Sequence, residues 1–243
     1  IERSLALATG TQLALAGFDL ARLLLGRTLT APLRPIEWVL TLPALIAFAI
    51  NMEVIWRDEV VPGANDNLSG TAALPLLARR LANTKPADVE IVLGALGSEE
   101  TSLGGGDALA RDMLGEWDPG NTVIIGLDGL GNGDLRILHP EGEVCAVPVP
   151  EWLLETAAEV TASEPRFATV TPFQPPVGGS DVAAFLARGW QGLCLACVDP
   201  KLGAPKHYHQ PTDTPENLDY ERVLTSIDYA EKLVDAIIKR KSK

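Results

Sequence analysis

Polarity is unevenly distributed along this chain. Residues 1–56 are apolar and nearly charge-free, whereas residues 57–243 alternate β-type and helix-type segments with polar loops. In the first region, Leu5–Leu25 predicts a helix carrying Asp19 and Arg22. Pro32 and Pro35 then break the pattern, and Trp38–Ile50 is a second apolar run interrupted by Pro43. Crossing a bilayer takes about 20 apolar residues, so both runs are of marginal length. Two readings stay open for residues 1–56: a helical hairpin packed on protein or an oligomer partner, or one in or on a membrane.

Beyond Val60 the periodicity is clearer. Helical spacing runs through Asn67–Leu81, with Ala72, Leu76, Leu77 and Leu81 along one side. Val89–Leu96 and Thr122–Leu127 read as strands, and Asp107–Leu114 as a short helix. Glu151–Ala162 is a helix opened by Pro148 and Pro150; Asp181–Arg188 is another helix, Gly192–Val198 a strand, and Tyr220–Lys239 a long amphipathic helix. The expected fold class is α/β, with a mostly parallel central sheet flanked by helices on both faces. The apolar helical hairpin precedes it.

Composition removes several function classes. A formal net charge of −12 leaves no basic footprint for nucleic acid. The terminal run Lys239-Arg240-Lys241 and Lys243 reads as a solvated helix end. Three cysteines make no disulfide framework in a chain of 243 residues. Cys194-Leu-Ala-Cys197 has the spacing of a redox or zinc pair, but it lies inside an apolar strand, where cysteine packs as a small apolar residue. No segment joins a charged start to an apolar stretch and a small-residue cleavage site. The compartment stays open, with cytoplasmic or membrane-associated as the expectation.

Candidate chemistry sits where strands end and loops begin, the edge at which such sheets bind ligands. Val89–Leu96 runs into Gly97-Ser-Glu-Glu100, Thr122–Leu127 ends at Asp128, and Asp66 lies in Pro62-Gly-Ala-Asn-Asp-Asn-Leu-Ser-Gly70. His207-Tyr-His-Gln-Pro-Thr-Asp-Thr214 follows near the end. Singly, these are a helix cap, a solvated acidic loop, a turn residue and a surface histidine. Together, Asp, Glu and His at loop ends suit a divalent metal such as zinc.

These segments resemble the motifs of metallopeptidase family 28, the co-catalytic zinc aminopeptidases and carboxypeptidases. Pro62–Gly70 resembles its bridging-aspartate motif, and Gly97-Ser-Glu-Glu-Thr-Ser-Leu-Gly-Gly105 its paired-glutamate motif. Gly126-Leu-Asp-Gly129 looks like its second aspartate segment, Tyr208–Asp219 resembles its terminal histidine motif, and Gly179-Ser180-Asp181 a further family segment. The likeness spans residues 60–220 in order. It implies a zinc exopeptidase domain over residues 57–243, a hydrolase-like sandwich, with residues 1–56 as hairpin or insertion.

Carried over position by position, the resemblance makes Asp66 the bridge between two zinc ions. Glu100 and His209 complete one site, and Asp128 ligates the other ion. Glu99 becomes the general base that activates water, and Tyr208 a donor to the developing oxyanion. Ser180, Asp181 and Asp213 are implied as supporting or substrate-side residues. The implied partner is a peptide substrate, with membrane or oligomer contact through residues 1–56.

The pattern has gaps. The family supplies a fifth ligand from an upstream His-X-Asp motif, but His139, His207 and His209 all follow Asp66. The simplest account has the chain begin after that motif, with one zinc or incomplete occupancy in this chain. Two alternatives stand beside it. In one, Asp66, Glu100 and His209 resemble the single-zinc set of the related glutaminyl cyclases; in the other, the site is a degenerate one kept for binding or assembly. His207 reads as a loop residue and His139 as a surface one. Val182 replaces a histidine that often follows the aspartate of the Ser-Asp segment. Loops Gly129–Gly142 and Leu202–Lys206 are expected to line the cleft.

Overall fold

The computed structural model describes residues 2–30, 32, 34–142, 145–176 and 178–242. They form two compact units, Ile1–Val60 and Val61–Lys243.

In the first unit, α1 (Glu2–Leu25) is followed by the single turn α2 (Arg27–Thr30) and by α3 (Arg34–Arg57). α1 ends where Gly26 takes a left-handed φ of 82°, a conformation glycine adopts without steric cost. α3 folds back along α1. Arg22 of α1 donates to Glu37 of α3 at 2.6 Å.

The second unit opens with a wide helical turn, Ala64–Ser69, that runs into α4 (Gly70–Leu81). Then come α5 (Gly104–Asp112), β1 (Val123–Asp128), β2 (Asp134–Leu138), α6 (Glu151–Ser163), β3 (Pro172–Phe173), α7 (Asp181–Leu186), β4 (Gln191–Val198) and α8 (Tyr220–Lys241). The sheet order is β1-β4-β2-β3. β1 and β4 run parallel, pairing Val123 with Gln191 through Asp128 with Ala196. β2 and β3 are also parallel, while β2 and β4 are antiparallel. Two of these three pairings are parallel, so the sheet is mixed.

β4 is apolar and buried over seven of its eight residues because it lies inside the sheet with helices on both faces. Its two cysteines show the two faces. Cys194 faces α7: a Cβ on the adjacent Gly126 would meet both Val182 and the Cys194 sulfur. Cys197, of opposite parity, lies 3.8 Å from Ser226 of α8 and donates to the Leu130 carbonyl at 3.0 Å. Tyr229 of α8 is fully buried, donates to the Ala157 carbonyl of α6 at 2.8 Å and meets Phe167 edge-to-face. The core thus fixes β1, which ends at Asp128, and its neighbour β4.

Two expectations are corrected. Val89–Leu96 forms no ladder; Val92, Leu93 and Leu96 are exposed. Its β-type composition is a packing preference that needs a neighbouring strand, and none pairs with it among the described residues. Conversely, Gly129–Gly142 is not a plain loop: it contains β2, which pairs with β4.

Candidate metal centre

Asp66 sits in a loop fixed at both sides. Asp213, fully buried, accepts from the Asn65 N–H at 2.9 Å and the Asp66 N–H at 3.1 Å. Its own carbonyl accepts from the Ala64 N–H at 3.1 Å. Asn67 ties the loop to the end of β1: its amide donates to the Leu127 carbonyl at 2.8 Å and accepts from Gly129 N–H at 3.1 Å. Asn65 accepts from the Gly131 N–H at 2.7 Å. The peptide bond Asp66–Asn67 is cis. This lattice sets Asp66 beside Asp128, the last residue of β1.

Glu99 and Glu100 occupy a tight turn before α5. Leu103 N–H returns to the Glu99 carbonyl at 2.8 Å, and Gly104 N–H to the Ser98 carbonyl at 2.9 Å. The glycine run after the pair has a steric cause. A Cβ on Gly105 would stand 2.1 Å from the Gly97 carbonyl oxygen, and one on Gly106 would stand 2.6 Å from the Asp181 carboxylate. Asp181 accepts the Gly106 N–H at 3.0 Å, which holds α5 to α7.

His209 completes the cluster from a loop, with a left-handed φ of 55°. Its Nε2 lies 3.4 Å from Asp66 Oδ2 and 3.1 Å from Glu100 Oε2. One donor atom from each of Asp66, Glu100 and His209 lies within 4.8 Å of the others, a spacing that suits one metal ion. Tyr208 stacks on the His209 ring at 3.8 Å between centroids.

The electrostatics fit a cation. Burial, reinforced by Asp128, Glu100, Asp181 and Asp66, pushes the Glu99 carboxyl up to about 8. Burial and the neighbouring Asp66, Asp181, Glu141 and Glu100 push Asp128 up to about 7. Burial also raises Asp181. Acceptance by Asp66 raises the His209 imidazole, with Glu100 adding to it. Burial and the same acids raise the Tyr208 phenol, which keeps its proton. Mutual repulsion among these carboxylates is what a divalent ion would relieve. The residues fit zinc on donor type and convergence.

The remaining expected residues lie around this cluster. Ser180 caps α7 and donates its N–H and hydroxyl to Glu141 Oε2 at 2.7 and 2.8 Å. His207 turns away and bonds Thr212 at 2.8 Å. His139 is half-buried rather than a surface residue, because its ring accepts the Val149 N–H at 3.1 Å. Sequence reasoning missed Asn65, Asn67 and Glu141. The Asn-Asp-Asn triplet was the available signal for the first two. Nothing marked Glu141, which is 1% exposed with Oε1 unpartnered. A groove of about 520 Å³ lined by Ile137, Leu154, Val170 and Pro172 includes none of the cluster residues.

A search of curated protein sequences gave no match. Among solved structures, the chain is similar to a zinc aminopeptidase from Bacillus subtilis, with 28% identity and a TM-score of 0.61, over 72% of this chain and 42% of that one. An aminopeptidase from Aneurinibacillus sp. strain AM-1 is similar at 26% identity and a TM-score of 0.58, over 72% and 39% of the two chains. A glutaminyl cyclase from an Acidobacteriales bacterium, at 20% identity and a TM-score of 0.51, shares the fold over 73% and 61%. The chain thus spans about two fifths of the aminopeptidases' length. The model of peptidase family M28 matches residues 50–234, and the chain belongs to that family.

Proposed function

We propose that this chain carries the catalytic centre of a zinc-dependent exopeptidase, an aminopeptidase acting on peptide N-termini. The convergence of Asp66, Glu100 and His209 beside Glu99 carries this reading. Asp66, Glu100 and His209 would hold one zinc, and Asp66 with Asp128 would contribute to a second. Two ions belong to the complete site, and one or incomplete occupancy to the ligands in this chain. Bound zinc supplies Lewis acidity that polarises a carbonyl and eases water deprotonation.

The chain's own groups do the rest. Glu99, half-buried next to the ligands, accepts the proton of the attacking water and delivers it to the departing amine. With a cation held among the acids, Glu99 would fall from its raised value and be ionised, ready to accept. Tyr208 keeps its phenolic proton and donates to the oxyanion. Asp213 holds the Asp66 backbone in place. Because His209 is protonated more readily than free histidine, zinc uptake displaces a proton and weakens as pH falls.

The test is turnover of aminoacyl p-nitroanilides by zinc-loaded Glu99→Gln against wild type at matched metal content. Loss of about 10²–10⁴-fold is expected; wild-type turnover would overturn the role of Glu99. One observation favours a second reading: the convergent set holds three ligands, enough for a single-zinc aminoacyl cyclase. Release of pyroglutamyl peptide from an N-terminal glutamine peptide, with one zinc bound and no p-nitroaniline formed, would establish that reading instead.

A further inference from the structure

The first unit has the polarity of a body surrounded by oil. In α3 an 18-residue window within Pro35–Arg57 has mean hydropathy 1.8, and none of it is buried. Val39, Leu42, Leu45, Ile46, Phe48 and Ile50 are all more than half exposed, and at 100° per residue they fan over roughly 200° around the axis, with Leu40, Pro43, Ala44 and Ala47 on the remaining side. No charge occurs between Glu37 and Glu53. A protein partner covers one stripe of a helix, and α1 already covers one. A helix apolar on every side calls for an apolar solvent.

The ends of α3 match a bilayer's thickness. Trp38 and Trp56 are 73% and 86% exposed, whereas Trp190 in the second unit is 2% exposed. Eighteen residues separate the two exposed indoles, roughly 27 Å at the helical rise, against a hydrocarbon core of about 30 Å. Tryptophan gathers at the two membrane–water boundaries. Charge lies outside these levels or at their edge: Arg34 and Glu37 at one end, Glu53 and Arg57 at the other. The half-buried Arg22–Glu37 pair joins the two helices near their connecting turn. α1 adds exposed Leu13, Leu20, Leu23 and Leu24.

We propose that the hairpin is inserted in a lipid bilayer, with α3 spanning it and Trp38 and Trp56 at its two interfaces. This stands apart from the metal centre and does not depend on it. The test reconstitutes the 243-residue chain into phosphatidylcholine–phosphatidylglycerol vesicles, followed by flotation and an alkaline carbonate wash. The chain should stay with the vesicles. Lipid brominated near the headgroup should quench its fluorescence more than lipid brominated near the chain end, and Trp38→Phe/Trp56→Phe should abolish that difference. Leu42→Arg/Ile46→Arg should reduce the vesicle-retained fraction at least about tenfold.

Recovery of wild type in the aqueous fraction without detergent would overturn the proposal. So would extraction by carbonate, stronger quenching from the chain end, or a soluble oligomer that the double arginine variant dissociates.

Discussion

The two units of this chain place polarity in opposite ways. In residues 61–243 leucines, valines and cysteines fill the interior, and charge lies mostly at the surface, apart from the acidic cluster and buried acids such as Glu141 and Asp213. In residues 1–60 leucines and tryptophans point outward, and the Arg22–Glu37 pair sits between the helices. The same apolar side chain therefore has different energetic meaning in the two places. In the second unit its burial is intramolecular and holds the fold; in the first it is left for the surroundings to supply.

The largest effect that would break this contrast comes from core truncation. Leu233, fully buried in α8, should cost about 2–5 kcal/mol when changed to alanine, read from the denaturant midpoint of Trp190 fluorescence. Ile46→Ala in α3 should leave that midpoint within about 0.5 kcal/mol. Equal costs would mean that the units do not differ in how they use apolar surface.

Next in size is the buried acid Glu141. Burial pushes its carboxyl up to about 7 from the ordinary 4.5, against the pull of the Ser180 donors. The folded state thus holds the proton more tightly than the unfolded chain. Its contribution to stability is fullest below the unfolded value of 4.5, falls as pH rises from there to about 7, and is lost above. Glu141→Gln should remove that decline, worth roughly 3 kcal/mol at most, in unfolding curves taken across the window. An unchanged slope would assign the pH dependence to other groups.

Asp213→Ala comes third. It leaves the Asn65 and Asp66 N–H groups without their acceptor, at about 1–3 kcal/mol. Zinc affinity measured by calorimetry should fall about 10–100-fold, as for other residues that orient ligands. Smallest is the exposed pair Arg57–Glu53, at 2.6 Å on the surface of α3. Glu53→Ala should change the melting of the detergent-solubilised chain by under about 0.5 kcal/mol, and Glu37→Ala by more, because the Arg22–Glu37 pair is the less exposed of the two.

What could be read in the sequence followed from local periodicity. α6, α8 and β4 carry long, uninterrupted patterns, and their limits fall within two residues of those expected. Val89–Leu96 was misread because strand formation depends on a partner that sequence composition does not reveal. β2 was hidden by the glycines preceding it, and β3 is two residues long. At the site, acids and histidine could be picked out because metal chemistry restricts residue type. Asn65 and Asn67 were marked only by the Asn-Asp-Asn triplet and Glu141 by nothing, because their roles rest on backbone groups brought together from 39 to 66 positions away.

Zinc dependence of the acidic cluster in the second unit is the property on which the proposed chemistry rests. The direct measurement follows aminoacyl p-nitroanilide hydrolysis as metal is stripped by a chelator and zinc is then titrated back, for wild type and His209→Ala. Activity should vanish on stripping, return in proportion to bound zinc in wild type, and fail to return in the variant. Activity that survives complete removal of metal, or that returns equally in His209→Ala, would contradict the account.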